Sequence, residues 1–159
     1  MKESLMRTRI IAGLAIILTA VALVPSGAHL FSLPNKISLT EEDYFLAQSL
    51  YRGWSFFGIA LIGAFLADVI LAFLLRGQGA SFYLACAGAI CLGLVLSVFL
   101  TRIYPVNHMT HNWTVIPDDW TALRLQWETA HAINAVITFV ALCCVTAAAL
   151  TKKAAAWSH

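Results

Sequence analysis

The apolar residues of this chain are grouped in four long runs, at residues 10–28, 53–75, 82–100 and 130–150. Each run is continuous rather than alternating, which favours helices and excludes a transmembrane barrel. Because about 20 helical residues cross a hydrocarbon core of about 30 Å, each run is long enough to span a membrane. The pattern predicts a single domain of four transmembrane helices, with long outer loops at residues 29–52 and 101–129.

The composition supports a membrane protein. Hydrophobic residues make up 60% of the 159 residues and charged residues only 11%, which is more apolar surface than a soluble core of this size buries. We therefore expect an all-α integral membrane four-helix bundle, multi-pass in the cell (inner) membrane. The formal charge of +2 is too small to indicate nucleic acid. The expected partners are the lipid bilayer and a small molecule, and a homo-oligomer is left open.

The basic residues that flank the runs predict the orientation of the bundle. Six of them fall at one end, namely Lys2, Arg7, Arg9, Arg76, Lys152 and Lys153. Four fall at the other end, together with most of the acidic residues: Lys36, Arg52, Arg102 and Arg124. Because cytoplasmic segments carry an excess of Lys and Arg, both termini are predicted to be cytoplasmic.

The first run has a second interpretation. Basic residues before it, and the small residues Ser26-Gly27-Ala28 at its end, also resemble a secretory signal peptide. We expect the run to be retained as the first helix. Cleavage after Ala28 would instead leave His29 as an amino-terminal residue able to chelate copper.

Polar residues and prolines in the long loops predict helix boundaries. Thr40, followed by three acidic residues, is typical of an N-cap, so the second helix is expected to start there and to continue to Leu75. Pro105 and Pro117 are expected to bracket an irregular segment before the last helix.

A polar stripe marks the start of the fourth helix. It consists of residues at helical spacing that share one face: Arg124, Trp127, Glu128, His131 and Asn134. Because ionisable groups are costly against lipid, this face is expected to turn into the bundle, with Glu128 and His131 lining an interior. The stripe is also typical of an interfacial helix start, with Trp127 in the aromatic belt and Arg124 paired with Glu128.

Two histidines are expected at a similar depth near this end. His29 follows the first run and His131 belongs to the stripe, and neutral imidazoles there can ligate haem or a metal ion, or act as a base. Glu128 would complete a set of two histidines and one carboxylate, while hydrogen-bonded packing histidines are the alternative. The cofactor is therefore left open between none, haem and a metal ion.

Other polar residues near this end are candidates for ligand contacts. The segment 104–113 supplies residues that solvated turns also use: Asn107, His108, His111 and Asn112. Arg52 begins the second run at the depth of Arg124. Two arginines suit an anionic or phenolate ligand, or else extend to lipid headgroups.

Two kinds of polar group lie inside the runs. Asp68 is about 24 Å of helical rise from Arg52, so it does not share that site. It is interpreted either as part of a proton path or as a protonated acid bonded to another helix. The cysteines form no CxxC pair and are interpreted as packing residues: Cys86, Cys91, Cys143 and Cys144.

Three motifs in the chain resemble a known family. They are Pro34-Asn35, Pro105-Val106-Asn107, and the pattern W-x-x-L-R-x-x-W-E-x-x-H at residues 120–131. These motifs are spread over most of the chain. Through them the chain resembles a family of small four-helix membrane proteins of largely unknown function, which includes the fungal anthrone oxygenases.

This resemblance implies an oxygenase or oxidoreductase that inserts molecular oxygen into a small activated phenolic or quinone-like molecule. It implies His131 as a base and Arg52 or Arg124 as groups that stabilise an oxyanion, with Glu128 in the same catalytic set. The implied substrate contacts are Trp113, Trp120, Trp127 and Asn107. A haem- or metal-binding protein for electron transfer or sensing, and a non-catalytic membrane subunit or carrier, are the alternatives.

Overall fold

The computed structural model describes residues 2–154, and for residues 2 and 152–154 only the main chain. The predicted cytoplasmic side chains of Lys2, Lys152 and Lys153 therefore lie outside the described residues. The α-helices are α1 (Lys2–Lys36), α2 (Glu41–Ser49), α3 (Phe57–Leu74), α4 (Ala80–Val98), α5 (Tyr104–Met109) and α6 (Trp120–Ala154). Residues 2–154 contain no strand, which confirms the predicted all-α class.

Within residues 2–154, four helical segments are long and apolar enough to cross a membrane, namely Glu3–Lys36, Trp54–Leu74, Ala80–Met109 and Trp120–Thr151. Large apolar side chains cover their outer surface, among them Phe31, Ile59 and Phe73, each more than half exposed. Soluble proteins rarely expose apolar surface on this scale, whereas lipid accommodates it. The chain is thus a multi-pass membrane protein, as the sequence predicts.

The spanning helices form a bundle in which α1 and α4 each pack against both α3 and α6. Buried alanines such as Ala15, Ala67 and Ala85 lie in its core, where small side chains let helices approach closely. At one end of the bundle the start of α1 meets the ends of α3 and α6. We call this the termini end, and the opposite end the site end.

The second span is not one helix from Thr40 to Leu75, so this prediction is wrong. Thr40 does cap α2, and its hydroxyl accepts the N–H of Asp43. However, α2 ends at Ser49, and Gly53 adopts a φ of 86°, a left-handed conformation that favours glycine. The chain turns there, and a 3₁₀ turn at Trp54–Phe56 leads into α3.

The predicted loops 29–52 and 101–129 are largely helical. α1 continues to Lys36, and a π-helical segment, Phe99–Ile103, joins α4 to α5. Pro105 lies in the first turn of α5, so its missing N–H removes no hydrogen bond within α5. The irregular segment before α6 therefore begins after Met109 rather than at Pro105.

Candidate functional site

A cavity of about 790 Å³ opens at the site end between the four spanning helices. Its deeper wall is apolar and includes Ala22, Leu61 and Val95. Nearer the rim, aromatic rings line it: Tyr51, Trp54, Trp113 and Trp127. Polar lining residues include His29, Arg52, Asn107, His111, His131 and Asn134. This volume and mixed lining are typical of sites for small organic molecules.

Glu128 lies beside the cavity, fully buried in α6. Its Oε1 is 2.5 Å from the Nζ of Lys36. The Tyr44 hydroxyl donates to the same oxygen at 3.0 Å, and Gln48 Nε2 does so at 3.2 Å. Burial and the Glu128 carboxylate raise the pKa of Tyr44, so its phenol stays protonated and donates. A carboxylate buried without a cation would be strongly destabilising, and the Lys36 ammonium supplies that cation.

Lys36 reaches this site because α1 continues through Pro34. His29 and Lys36 are seven residues apart and therefore share a face of α1. The Lys36 side chain is buried, and its ammonium lies 4.8 Å from the centre of the Tyr51 ring and 5.5 Å from that of Trp127. These cation–π contacts help to stabilise the desolvated ammonium.

His29 connects the ionic pair to the cavity. Its Nδ1 lies 3.1 Å from Lys36 Nζ and 3.6 Å from Glu128 Oε2. When Lys36 is an ammonium, it donates and cannot accept, so Nδ1 is the acceptor of this contact and a neutral His29 ring carries its proton on Nε2. Since His29 lines the cavity, the Nε2–H is the donor that it offers to a ligand.

His131 packs between His29 and Trp127, with ring centroids 4.4 Å and 4.3 Å away. Neither of its ring nitrogens has a hydrogen-bond partner among residues 2–154. Trp127 is itself held in place, because its indole N–H donates to Asn107 Oδ1 at 2.7 Å. His131 thus has an unpaired imidazole, with both nitrogens buried, in the aromatic wall of the cavity.

The structure brings most of the predicted site residues to this cavity, but three of them do not line it: Glu128, Arg124 and Trp120. Arg124 donates to the Leu39 carbonyl at 2.8 Å, and its guanidinium lies 4.6 Å from the Trp120 ring centre. Arg124 therefore fastens the α1–α2 connection to α6. The alternative pairing of Arg124 with Glu128 is wrong, because Glu128 pairs with Lys36. His108 is exposed on α5, outside the cavity.

Sequence reasoning missed three residues that contact Glu128: Lys36, Tyr44 and Gln48. Tyr44 and Gln48 are four residues apart on α2, so they share the face that packs on Glu128. That spacing is a signal in the sequence. However, in the predicted unbroken helix from Thr40 to Leu75, no other helix is expected to pack against this face. The spacing of seven between His29 and Lys36 was the corresponding signal on α1.

The predicted metal ligands His29 and His131 lie side by side. Within the described part of the chain, however, no group of three or more His, Cys, Asp or Glu is arranged to hold a metal ion. Nδ1 of His29 is also taken by Lys36. Haem or metal ligation stays a prediction, which a Soret band or stoichiometric metal in the purified protein would support.

Asp68 lies in α3, away from the cavity, and is fully buried. Neither of its carboxyl oxygens has a hydrogen-bond partner within residues 2–154. Gly88 of α4 packs directly against it, since a Cβ there would be 2.9 Å from Asp68 Oδ2. A role in a proton path stays a prediction. The four cysteines are free thiols.

Comparison with known proteins gives no match: no family model, no curated protein and no solved structure matches this chain. The resemblance to the anthrone oxygenases therefore rests on the three sequence motifs and stays a prediction.

Proposed function

We propose that this protein is a membrane oxygenase or oxidoreductase that acts on a small phenolic or quinone-like aromatic molecule in the cavity at the site end. The observation that carries the proposal is the unpaired imidazole of His131 in the cavity wall. The tryptophan and tyrosine rings around it suit a flat aromatic substrate. The resemblance to the anthrone oxygenases points to the same class of chemistry.

The two histidines differ in their hydrogen bonding and therefore have different roles. His131 acts as the base, because both of its nitrogens are without a partner in the described chain. His29 acts as a donor through Nε2–H and stabilises a substrate oxygen as it becomes negative. Lys36 and Glu128 are positioning residues that hold His29 in this tautomer. Arg52, exposed at the rim, attracts a phenolate.

Molecular oxygen is the oxidant in the proposed reaction, and with it the atoms and electrons balance. On an anthrone-like substrate, His131 removes one proton of the ring methylene, and the resulting carbanion transfers electrons to oxygen. One oxygen atom becomes the new carbonyl, and the other leaves as water with the two methylene hydrogens. Each role assigned to this chain is therefore a proton transfer or the stabilisation of a charge.

Oxygen uptake by the purified protein with anthrone as substrate tests this proposal. His131→Gln keeps a polar side chain of similar size and is expected to lower kcat by about 10²–10⁴-fold, the usual contribution of a general base. His108→Gln is the matched control, because His108 is exposed outside the cavity. Its kcat should equal that of the unmodified protein.

Two outcomes contradict the proposal. One is that the folded, unmodified protein takes up no oxygen with either anthrone or hydroquinone. The other is that folded His131→Gln retains the unmodified rate. Thermal unfolding of each variant establishes that it is folded.

A further inference from the structure

The floor of the cavity carries a polar group that the proposed mechanism does not use, the side-chain amide of Asn134. Asn134 follows His131 by three residues on α6, so it lies on the same face about one turn deeper in the bundle. It is 3% exposed and lines the cavity beside the apolar residues Leu61 and Val95.

The orientation of the Asn134 amide is fixed by its contact with α4. Nδ2 donates to the main-chain carbonyl of Val95 at 3.3 Å. Because a carbonyl only accepts, the amide cannot be turned over without losing this hydrogen bond. Its Oδ1 therefore faces away from Val95, and no residue of the described chain donates to it.

An amide oxygen buried at this depth is costly to leave unpaired. The nearest hydroxyl along α6 is committed elsewhere, since Thr138 donates to the main-chain carbonyl of Asn134 at 2.7 Å. Because Asn134 lines the cavity, a molecule inside it can supply the donor that Oδ1 lacks. Such a molecule has His131 and His29 at one end and Asn134 at the other.

We propose that the substrate is an aromatic diol of the hydroquinone type, with one hydroxyl at His131 and the opposite hydroxyl donating to Asn134 Oδ1. This inference rests on the proposed function and narrows its substrate class. Residues three apart on a helix have Cβ atoms about 5–6 Å apart, similar to the distance between para oxygens on one ring.

The same geometry discriminates between the diol and its oxidation product. Oxidation of the diol transfers two electrons and two protons to molecular oxygen, giving the quinone and hydrogen peroxide. The quinone carries a carbonyl where the diol carried an O–H, so it places an acceptor against the Asn134 Oδ1 acceptor. Product release is therefore favoured by the loss of this hydrogen bond.

Binding of hydroquinone and of its monomethyl ether under argon tests the inference. Quenching of the fluorescence of the cavity tryptophans of the full chain in detergent reports the dissociation constants. The monomethyl ether can bind through its one remaining hydroxyl. Hydroquinone has a second O–H for Asn134, and its dissociation constant is expected to be about tenfold lower. Asn134→Leu, of similar volume, is expected to remove this difference. Ser26→Ala, a matched change at another cavity residue, should retain it.

Equal binding of the two ligands by the unmodified protein overturns the inference, even if Asn134→Leu does not fold. A tenfold preference that persists in folded Asn134→Leu overturns it as well. Oxygen uptake separates this inference from the proposed function. If oxygen is taken up but the diol is not preferred, the proposed function stands and the diol inference fails. If the preference depends on Asn134 but no oxygen is taken up, the diol site stands and the proposed function fails.

Discussion

Among single residues, Glu128 has the largest influence on the site, because all its polar contacts depend on one buried charge. Tyr44 and Gln48 donate to its Oε1, but both are neutral. Lys36 is the donor that also carries a positive charge. Loss of Tyr44 or Gln48 would remove one hydrogen bond, whereas loss of Lys36 would leave a buried anion without its cation.

Lys36→Met is therefore expected to lower the free energy of unfolding by about 3–5 kcal/mol, the usual effect of removing one partner from a buried ion pair. Thermal unfolding in detergent measures the loss. In Lys36→Met/Glu128→Leu, both charges are absent and most of the stability should return. Arg102→Met is the control, because Arg102 is exposed at the same end, and it should change the free energy by no more than about 0.5 kcal/mol. Equal stability of Lys36→Met and Arg102→Met would show that the pair is not formed.

The sequence identifies Glu128, His131 and His29 as polar residues at the site end, but it places Lys36 only as a flanking charge. The reason is that the first apolar run ends at residue 28, so Lys36 falls in the predicted outer loop 29–52, after a proline that usually marks the end of a helix. In the structure α1 continues past it, and the ammonium turns inward. Contacts between helices decide which polar side chains come together. A single sequence carries little information about such contacts.

At the scale of elements, the short helix α2 determines which groups surround Glu128. The break at Gly53 lets α2 pack against α6 instead of extending from α3. Four apolar runs predict four spanning helices because continuous hydrophobicity specifies a membrane helix strongly. One glycine beside an apolar run specifies a break only weakly, since glycine inside a helix costs about 1 kcal/mol relative to alanine.

The contact between α3 and α4 depends on Gly88. Gly88→Ala is expected to lower the free energy of unfolding by about 1–3 kcal/mol, because its Cβ would lie 2.9 Å from Asp68 Oδ2 and 3.6 Å from the Ala141 carbonyl oxygen. Gly93→Ala on the same helix is the control. Its Cβ would meet Phe65 at an ordinary 3.6 Å, and alanine is the better helix former.

A second variant assigns the effect of Gly88→Ala to the Asp68 contact. Asp68→Ala removes the carboxyl group, so Gly88→Ala should cost less in an Asp68→Ala background than in the unmodified protein. Thermal unfolding of the four proteins of this cycle gives the coupling. A coupling of zero would mean that α3 and α4 pack differently at this position.

At the scale of the whole molecule, the property to be tested is its orientation in the membrane. The distribution of basic residues predicts that the termini end is cytoplasmic, so the cavity opens on the other side. Thr114, in the segment before α6, and Gln78, between α3 and α4, are both exposed and lie at opposite ends of the bundle. They are suitable positions for a labelling experiment.

Thr114→Cys is expected to react with a membrane-impermeant maleimide on intact cells, and Gln78→Cys only after permeabilisation. The unmodified protein, whose four cysteines lie in the spanning helices, gives the background. The reverse pattern would invert the orientation while leaving the bundle intact. Labelling of both positions from one side would contradict the bundle itself.

The pairing of Lys36 with Glu128 also has a consequence for biosynthesis. Of the four described spanning helices, the first to leave the ribosome contains Lys36 and the last contains Glu128. Until α6 is inserted, the ammonium has no carboxylate and must remain hydrated among the lipid headgroups. Insertion of α6 therefore completes the ionic pair and fixes the tautomer of His29 in one step. A nascent chain that lacks α6 would keep a cation at the membrane surface, a feature that distinguishes it from the finished protein.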